Sequence, residues 1–306
     1  MHFGCEYMIK QTKNAISFLN KAYRAIYAHA YLKGLANSLA LISCVAVAPC
    51  ANAVVSEQCT LSEDGNTYTC TSVKDTSSIT AFKDFNSEVS GKELEVKDST
   101  LSDVVTSSSG ITANNNKLTV SNSTITEYGT VAGKADNIKY LSDGTREILN
   151  NDVTANNNTL IIKDKSDVTG AVQAGHAYAV SSNEVLKATA NDNKIEVSDS
   201  NISESFMIGG YASSNQAVAK LNKVTFNNVN LTDGRVTGGQ ASYANENTVE
   251  IADSTITDPV FVTVTGGWAT TEANDNEVNV KNLTIKGVSE EGGGQIIGKL
   301  PNTPKS

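Results

Sequence analysis

The sequence predicts an all-β protein, a right-handed parallel β-helix (β-solenoid) of about six to eight coils after an N-terminal helical signal peptide. Three observations support this prediction: a motif anchored on Asn that recurs along the chain, apolar residues that alternate with polar ones after each anchor, and a Gly-Gly-x-Ala motif that closes each repeat. Composition agrees with it. The 306-residue chain has 19% charged and 6% aromatic residues and only 4 prolines, whereas disordered chains have high net charge or abundant proline.

Residues 1–53 follow the order of a secretory signal peptide. Basic residues precede the apolar run 34–48, Pro49 breaks that run, and Ala51 and Ala53 are the small residues that signal peptidase needs just before its cleavage point. The run is too short to span a bilayer stably. We therefore expect cleavage after Ala53 and export, with a buried or interfacial N-terminal helix as the alternative.

Cysteine usage is typical of an exported protein. Leu41-Ile-Ser-Cys44 resembles a lipidation site, and lipid attachment at Cys44 is an alternative to simple cleavage. After Ala53 only Cys59 and Cys70 remain, with a Gly65-Asn66 turn between them. An even pair in an oxidising compartment predicts a disulfide, with two free thiols as the alternative.

The repeat is clearest from residue 85 onward. Two and four residues after each Asn anchor stands an apolar residue, with polar residues between, which is the period-2 pattern of a half-buried strand. A further apolar residue stands nine residues after five of the anchors, whereas the second copy has Asp167 there and Val168 next. The anchors and their apolar pairs are Asn116 with Leu118/Val120, Asn158 with Leu160/Ile162, Asn193 with Ile195/Val197, Asn222 with Val224/Phe226, Asn247 with Val249/Ile251 and Asn276 with Val278/Val280.

A glycine motif closes each repeat. Gly209-Gly-Tyr-Ala212, Gly238-Gly-Gln-Ala241 and Gly266-Gly-Trp-Ala269 are full copies, and Ala132-Gly-Lys-Ala135 and Ala174-Gly-His-Ala177 are degenerate ones. The second Gly lies 17 residues after the anchor in four copies and 20 in the fifth, while anchors are 25 to 42 residues apart. Fixed coils with insertions at one place are typical of a solenoid, and a β-sandwich, the alternative fold, does not explain the constant spacing. We expect the Gly-Gly pairs to form tight corners with positive φ, and the Asn amides to bond to turn backbone and to one another.

The predicted organisation has four parts. These are a signal peptide (1–53), an N-terminal cap region with the disulfide (54–84), the repeat solenoid (85–300) and a polar tail (301–306). The chain after the cleavage point has 19 basic and 32 acidic residues, and an acidic chain without a basic cluster argues against binding nucleic acid. The last coil has no evident cap, so end-to-end self-association is expected.

The repeats resemble a known family. The Asn-x-Val-x-Ile, Ser-x-Ile and Val-x-Gly-Gly-x-Ala units, together with the extended signal and its aromatic residues in 18–27, resemble the passenger domains of Gram-negative autotransporters, the type V secretion family. The resemblance implies a β-helical passenger, secreted or on the cell surface, with a role in adhesion, aggregation or virulence. The family normally ends in a translocator β-barrel with a terminal aromatic residue, but residues 298–306 have neither barrel strands nor that aromatic. This departure implies a truncated, inactive passenger, or one that depends on a barrel encoded elsewhere and otherwise stays in the periplasm.

Catalysis through histidine is not expected. After the signal peptide the sequence has a single histidine, His176, at the variable place of the glycine motif, where other copies have Lys134, Tyr211, Gln240 and Trp268. A place that accepts so many residue types is predicted to be exposed, which disfavours Ser-His-Asp or Cys-His chemistry. One histidine and two bridged cysteines also exclude a zinc site of the usual kind.

Carboxylates leave one enzymatic alternative open, a secreted carbohydrate-active β-helix similar to pectate lyases. Asp192 and Asp275 occupy the same place in two repeats, but Asn115 and Asn157 stand there in other copies, so we interpret them as corner residues. The alternative predicts two or three converging carboxylates with a basic residue within coils 150–280. The Asn-Asp-Asn turns lack the known calcium-loop patterns, so no metal or other cofactor is predicted.

The expected function is therefore structural or adhesive rather than enzymatic. Tyr211, Tyr243 and Trp268 stand at or near the corners, and Tyr and Trp contribute much of the binding energy in many interfaces and stack on sugar rings. We predict that they contact a ligand, which would be a host or bacterial surface protein or a glycan.

Overall fold

A computed structural model describes residues 58–75, 78–126, 129–140, 145–181, 185–257, 262–286 and 295–297. The predicted signal peptide with Ala51 and Ala53, the alternative lipidation site at Cys44 and the tail 301–306 lie outside the described residues. Among the residues described, there is no helix with the length and apolarity that crossing a membrane requires.

The described residues form strands joined by turns and loops. The strands, numbered in chain order, are β1 Cys59–Leu61, β2 Thr67–Thr71, β3 Lys74–Asp75, β4 Ile79–Glu88, β5 Glu93–Lys97, β6 Thr100–Leu101, β7 Val105–Thr112, β8 Lys117–Ser121, β9 Thr124–Ile125, β10 Thr130–Asp136, β11 Ile138–Tyr140, β12 Arg146–Ile148, β13 Val153–Thr154, β14 Thr159–Lys163, β15 Asp167–Tyr178, β16 Lys187–Thr189, β17 Lys194–Ser198, β18 Asn201–Ser213, β19 Gln216–Lys220, β20 Lys223–Asn227, β21 Asn230–Asn245, β22 Thr248–Ala252, β23 Thr255–Thr257, β24 Thr263–Glu272, β25 Glu277–Lys281, β26 Thr284–Lys286 and β27 Gln295–Ile297.

The strand that follows each anchor builds one sheet. Its order is β1-β2-β5-β8-β14-β17-β20-β22-β25, and every pair from β2 onward is parallel and in register. Leu118, for example, pairs with Leu94 on one side and Leu160 on the other. Eight parallel strands, one from each coil, confirm the predicted solenoid and its number of coils, and they contradict a β-sandwich, whose sheets are antiparallel.

The rest of each coil contributes to a second sheet of 16 strands. Four of its strands of ten residues or more, β15, β18, β21 and β24, run through the glycine motif, and each pairs in parallel with the next. A hairpin of β11 and β12 is an insertion between two coils, which explains the largest distance between anchors. The insertions therefore leave the coil itself unchanged.

The apolar residues after each anchor fill the interior. Leu118, Val120, Leu160 and Ile162 are fully buried, and they belong to one continuous core that follows the solenoid axis. A second, narrower core consists mostly of alanines from the two repeat motifs, such as Ala177. Because a repeat exposes one apolar row, it becomes stable only when the coils above and below cover that row.

The anchor asparagines form a buried ladder. From Asn158 onward, the Oδ1 of each anchor accepts from both the backbone N–H and the Nδ2 of the anchor one coil earlier, at 2.9–3.2 Å. Several Nδ2 groups also donate to a backbone carbonyl, as from Asn222 to Ala190 at 2.8 Å. The predicted bonding of the amides to backbone and to one another is confirmed, and it satisfies polar groups that have no access to water.

The glycine motif has a different cause from the one predicted. None of the paired glycines has positive φ; that conformation belongs to the residue before each anchor, as in Asp192, Leu221 and Asp275. A Cβ on Gly210 would collide with the side chain of Asn222, and a Cβ on Gly209 would collide with the carbonyl of the next coil. Glycine is needed because the ladder and the neighbouring backbone occupy the space of a side chain.

The second copy of the repeat departs because its turn has one more residue. Asp164 and Lys165 both have positive φ, whereas the corresponding turns of the next coils have one such residue, Asp199 or Asn228. The extra residue moves Val168 into register with Ile202 of the next coil, where it is buried. Its apolar residue is therefore displaced in the sequence but not in the coil.

The solenoid begins earlier than the predicted boundary between 84 and 85, which falls inside β4. Within the predicted cap region, β2 already pairs in parallel with β5, and Asn66 and Lys92 precede these strands at the anchor place. Lys92 Nζ donates to Asn66 Oδ1 at 2.6 Å, so an ammonium replaces the amide of the later coils. The second coil is recognisable in the sequence although Lys92 takes the place of Asn, but periodicity missed the first coil, where Tyr68 and Cys70 occupy the apolar places.

The N-terminal end is closed by a hairpin. β1 pairs antiparallel with β2, and Gly65 occupies the turn with φ +70°. Cys59 and Cys70 lie opposite each other and form the predicted disulfide, with their Cα atoms 4.1 Å apart.

Candidate functional site

The variable residues of the glycine motifs form one straight row on the outside of the solenoid. Strand register places Lys134 beside His176, His176 beside Tyr211, Tyr211 beside Gln240, and Gln240 beside Trp268. We call these five residues the outer row. Neighbouring strands of a sheet are about 4.8 Å apart, so the row runs along the solenoid for roughly 19 Å.

The outer row lies directly behind the Asn ladder. In β15, Ala174 packs in the main core and Ala177 in the alanine core, with Gly175 and His176 between them. Gly175 faces the ladder at Asn193, which leaves the next side chain, His176, on the opposite side of the backbone. The ladder thus fixes the position of each outer-row residue while leaving its chemistry free.

A second row of side chains runs beside the outer row on the same side of the sheet, and neighbouring side chains bury it. It contains Gln173, Ile208, Thr237 and Thr265, and its exposed fractions are 8, 5, 0 and 3%. Arg235 Nε donates to Thr237 Oγ1 at 3.1 Å, so this row lies on the same side of the sheet as the arginine. Side chains on either flank lie against it: Arg235 contacts Thr237, and His176 contacts Gln173.

His176 is half-buried, which corrects the prediction that it is exposed. Its ring lies 5.0 Å from the ring of Tyr211, and Nδ1 is 2.7 Å from Oε1 of Gln173. Burial, aided by the Lys134 ammonium in the next strand, lowers the pKa of His176 to about 3 although the side chain keeps some contact with solvent. The neutral ring donates Nδ1–H to the amide oxygen, so its orientation depends on an amide and not on a carboxylate.

The last residue of the row is covered by a cation. The guanidinium carbon of Arg235 lies 4.5 Å from the centre of the Trp268 ring. A cation over the face of an indole is attracted by the electrons of the ring. Burial lowers the pKa of Arg235, yet an arginine stays protonated in any ordinary solution. This part of the surface therefore combines an aromatic face with a fixed positive charge.

The row changes character along the solenoid. Its first residue, Lys134, pairs with Asp136 at 3.4 Å, and Lys83 lies two strands away in the same register. Burial first, then repulsion by Lys134, lowers the pKa of Lys83, while Asp136 opposes the shift. The row is cationic in the early coils and aromatic in the later ones.

The structure brings together two of the three predicted ligand-contact aromatics. Tyr211 and Trp268 share the outer row with one strand between them. Tyr243 lies further along β21, beyond the corner, where it is opposite Val218 and 38% exposed. Proximity in sequence to the glycine motif did not reveal this separation, because the chain turns between Gln240 and Tyr243.

Carboxylates do collect on one surface, as the enzymatic alternative requires. A shallow depression of about 430 Å³ is lined by Asp167, Asp199, Asp253 and Lys165, among others. Each carboxylate accepts a hydrogen bond from an Asn amide one coil further on, at 2.7–2.8 Å. These contacts make the carboxylates parts of a turn ladder. Asp192 and Asp275 lie elsewhere, at corners with positive φ, which agrees with their interpretation as turn residues.

Within the described residues, no group of three or more His, Cys, Asp or Glu side chains is arranged to hold a metal ion. The Asn-Asp-Asn turns supply amides to the ladder, as Asn193 does to Asn222.

Sequence reasoning missed Phe206, Arg235 and Gln173 as members of this surface. Glu204 and Asp233 have positive φ, and the pairing of β15 with β18 skips one residue there. This bulge breaks the period-2 pattern, so the face of Phe206 and Arg235 is not readable from alternation. Phe206 is 60% exposed, an unusual place for a large apolar side chain.

No family model, curated protein or solved structure matches the chain.

Proposed function

We propose that the protein is an exported, non-catalytic β-helical passenger with a structural or adhesive role, and that it presents its outer row to a partner at a cell surface. The observation that carries the proposal is the outer row itself: His176, Tyr211, Gln240 and Trp268 differ in every coil, although the backbone that holds them is uniform. Stability does not require this variety. Ligand contact is a reason for a half-buried row of aromatic, amide and cationic groups.

Three further features support export and display. The sequence has a signal-peptide pattern, the described part begins with a disulfide, and the repeats resemble autotransporter passengers. A stiff solenoid also keeps its surface residues at fixed spacing without a ligand, which reduces the entropy lost on binding. A partner with regularly spaced groups, such as a glycan chain or an extended surface protein, fits a row that repeats at each strand.

The single tryptophan of the chain allows a direct test, because Trp268 belongs to the row. The full-length protein would be titrated with soluble neutral, amino-sugar and uronic-acid oligosaccharides while Trp268 emission is followed. Binding to collagen, fibronectin and laminin, whose own aromatic residues would obscure that emission, would be measured by biolayer interferometry, and a binding signal there counts in place of an emission shift. We expect at least one of these probes to shift the emission. Replacement of an aromatic contact by Ala in Tyr211→Ala should weaken that binding about tenfold, the effect of a typical interface hot spot.

Tyr243→Ala is the matched control, since Tyr243 is an exposed tyrosine of the same region but lies outside the row. It should leave the affinity unchanged. Failure of every probe to bind, or an equal loss in both tyrosine variants, would contradict the proposed role of the outer row.

The acidic depression favours one second candidate, a secreted carbohydrate-active enzyme that uses Asp167, Asp199, Asp253 and Lys165. Incubation with polygalacturonate, followed by measurement of new reducing ends and unsaturated products, separates the two candidates. Product formation that Asp199→Asn abolishes would replace the adhesive proposal by the enzymatic one.

A further inference from the structure

The two ends of the described solenoid differ. At the N-terminal end, β1 adds a three-residue antiparallel strand to the nine-stranded sheet, and the disulfide attaches that strand to β2. At the other end the sheet finishes at β25, a regular five-residue strand, and no described strand follows it in the sheet order. Within the nine-stranded sheet, the C-terminal end therefore presents the longer strand at its edge.

Apolar residues at core positions are exposed at this edge. Val280 is 42% exposed, whereas Ile251, at the same place one coil earlier, is 2% exposed. Ile285 is 49% exposed and its counterpart Ile256 is 3% exposed. These side chains have the position of core residues, but no described coil covers them as coils do elsewhere, which is the usual condition of a surface that binds another chain.

Alternate backbone N–H and C=O groups of β25 bond to β22, and the others have no partner among the described strands. The N–H of Glu277 donates to Asn247 at 2.8 Å, and the carbonyl of Lys281 accepts from Asp253 at 3.0 Å. Because alternate residues of a strand bond to opposite neighbours, Val278 and Val280 direct their N–H and C=O groups toward the open edge. That edge offers two donors and two acceptors to an added strand.

The sequence of β25, Glu-Val-Asn-Val-Lys, is complementary to itself in the antiparallel direction. When two copies pair about Asn279, Glu277 lies opposite Lys281 of the second copy, and Val278 lies opposite Val280. The two valine pairs fall at the hydrogen-bonded positions, since both valines face the edge. Charges, apolar side chains and free backbone groups are therefore satisfied by the same register.

We propose that two copies of this chain associate through their C-terminal ends, with β25 of one paired antiparallel to β25 of the other about a two-fold axis at Asn279. The nine-stranded sheet then continues from one copy into the next, and the exposed valines are covered. Such an interface is closed, because both copies use the same edge about a two-fold axis, so the product is a dimer and not a filament. The inference does not depend on the proposed function.

Charge reversal in two separate variants tests the register. In the Glu277→Lys dimer, residue 277 of each copy faces Lys281 of the other, so two pairs of lysines oppose each other. In the Lys281→Glu dimer, the same two pairs consist of glutamates. Both residues are exposed and lie on a strand whose bonds to β22 come from the backbone, so the fold should be kept. Like charges across an antiparallel pair destabilise it, and we expect each variant to dimerise about tenfold more weakly than the wild type.

An equimolar mixture of the two variants gives the decisive result. In a mixed dimer every Glu again faces a Lys, so the mixture should recover wild-type dimerisation, measured by sedimentation velocity and light scattering on the full-length protein. Glu88→Lys, the same change at an exposed position of β4, is the control and should dimerise normally. Circular dichroism verifies that every variant has the wild-type fold.

Several results would overturn the proposal. The first is a wild-type protein that stays monomeric up to about 0.1 mM, well above the dissociation constants of specific interfaces. The second is a series of higher oligomers instead of a dimer. The others are single variants that dimerise as the wild type does, and a mixture that fails to recover wild-type dimerisation.

Discussion

The two sides of the glycine corner follow opposite rules. On the inner side, Asn193, Asn222 and Asn247 are identical in successive coils, and each is fully buried with its amide bonded to the next. On the outer side, a few ångströms away across the same backbone, Tyr211 and Gln240 differ from each other and from their neighbours. Uniformity is required where one side chain must accept bonds from the identical side chain of another coil. Variety is tolerated where a side chain meets solvent on one face.

The largest expected effect tests whether the inner side is one unit. Asn247→Ala removes the acceptor of two hydrogen bonds from Asn222 and two bonds donated by Nδ2. A buried N–H without a partner costs about 1–3 kcal/mol, so we expect a loss of about 3–4 kcal/mol in the free energy of unfolding, measured by urea denaturation. Gly239→Ala should cost a similar amount, since its Cβ would collide with the Asn247 side chain.

The double variant sharpens this prediction. With the Asn247 side chain removed, the Cβ introduced by Gly239→Ala has space, so the two losses should add to clearly less than their sum. Strict additivity would show that Gly239 is needed for another reason, and the steric account of the motif would then be wrong.

An intermediate effect concerns pH. The pKa of His176 is about 3 in the folded protein and near 6.5 in an unfolded chain, so the unfolded state binds more protons between these values. Stability is therefore fully present above pH 6.5 and falls as the pH decreases toward 3, by at most about 1.4 kcal/mol per pH unit. Thermal melts at pH 7, 6 and 5 measure this loss.

His176→Gln should flatten that pH dependence, because Gln keeps a polar group near Gln173 but does not titrate. The melts are measured above pH 4.5, because hydrogen bonds lower the pKa of the Asp64 and Asp164 carboxyls, and these groups add their own pH dependence of stability below the ordinary carboxyl pKa of 3.8. If stability depended on pH equally in His176→Gln and the wild type, His176 would titrate in the folded protein as an exposed histidine does, and its pKa would not be lowered by burial.

The smallest effect is expected next to the largest. Gln240 follows Gly239 directly but belongs to the outer row, and Gln240→Ala should change the free energy of unfolding by less than about 0.5 kcal/mol. Urea denaturation of Gly239→Ala and Gln240→Ala under the same conditions compares the two sides of one corner. A loss of more than about 1 kcal/mol in Gln240→Ala would mean that the outer row also stabilises the fold, and its variety would need a different explanation.

Much of the solenoid was determined by the sequence itself. Apolar residues at alternating places after each Asn anchor specify strands, and a repeat with one apolar row must stack, so the parallel sheet, the buried pairs and the Asn ladder were all predictable. The disulfide followed from the two cysteines on either side of a turn. Apart from the disulfide, each of these signals lies within one repeat and is present in several copies.

Other features were decided only by the tertiary structure. A Cβ on Gly239 would collide with Asn247 of the next coil, Arg235 covers Trp268, and Tyr243 lies away from the row of Tyr211. These relations join different coils or depend on bulges and bends that change which face a residue occupies. A pattern within one strand does not contain them, because they arise from the space left by neighbouring coils once the chain is wound.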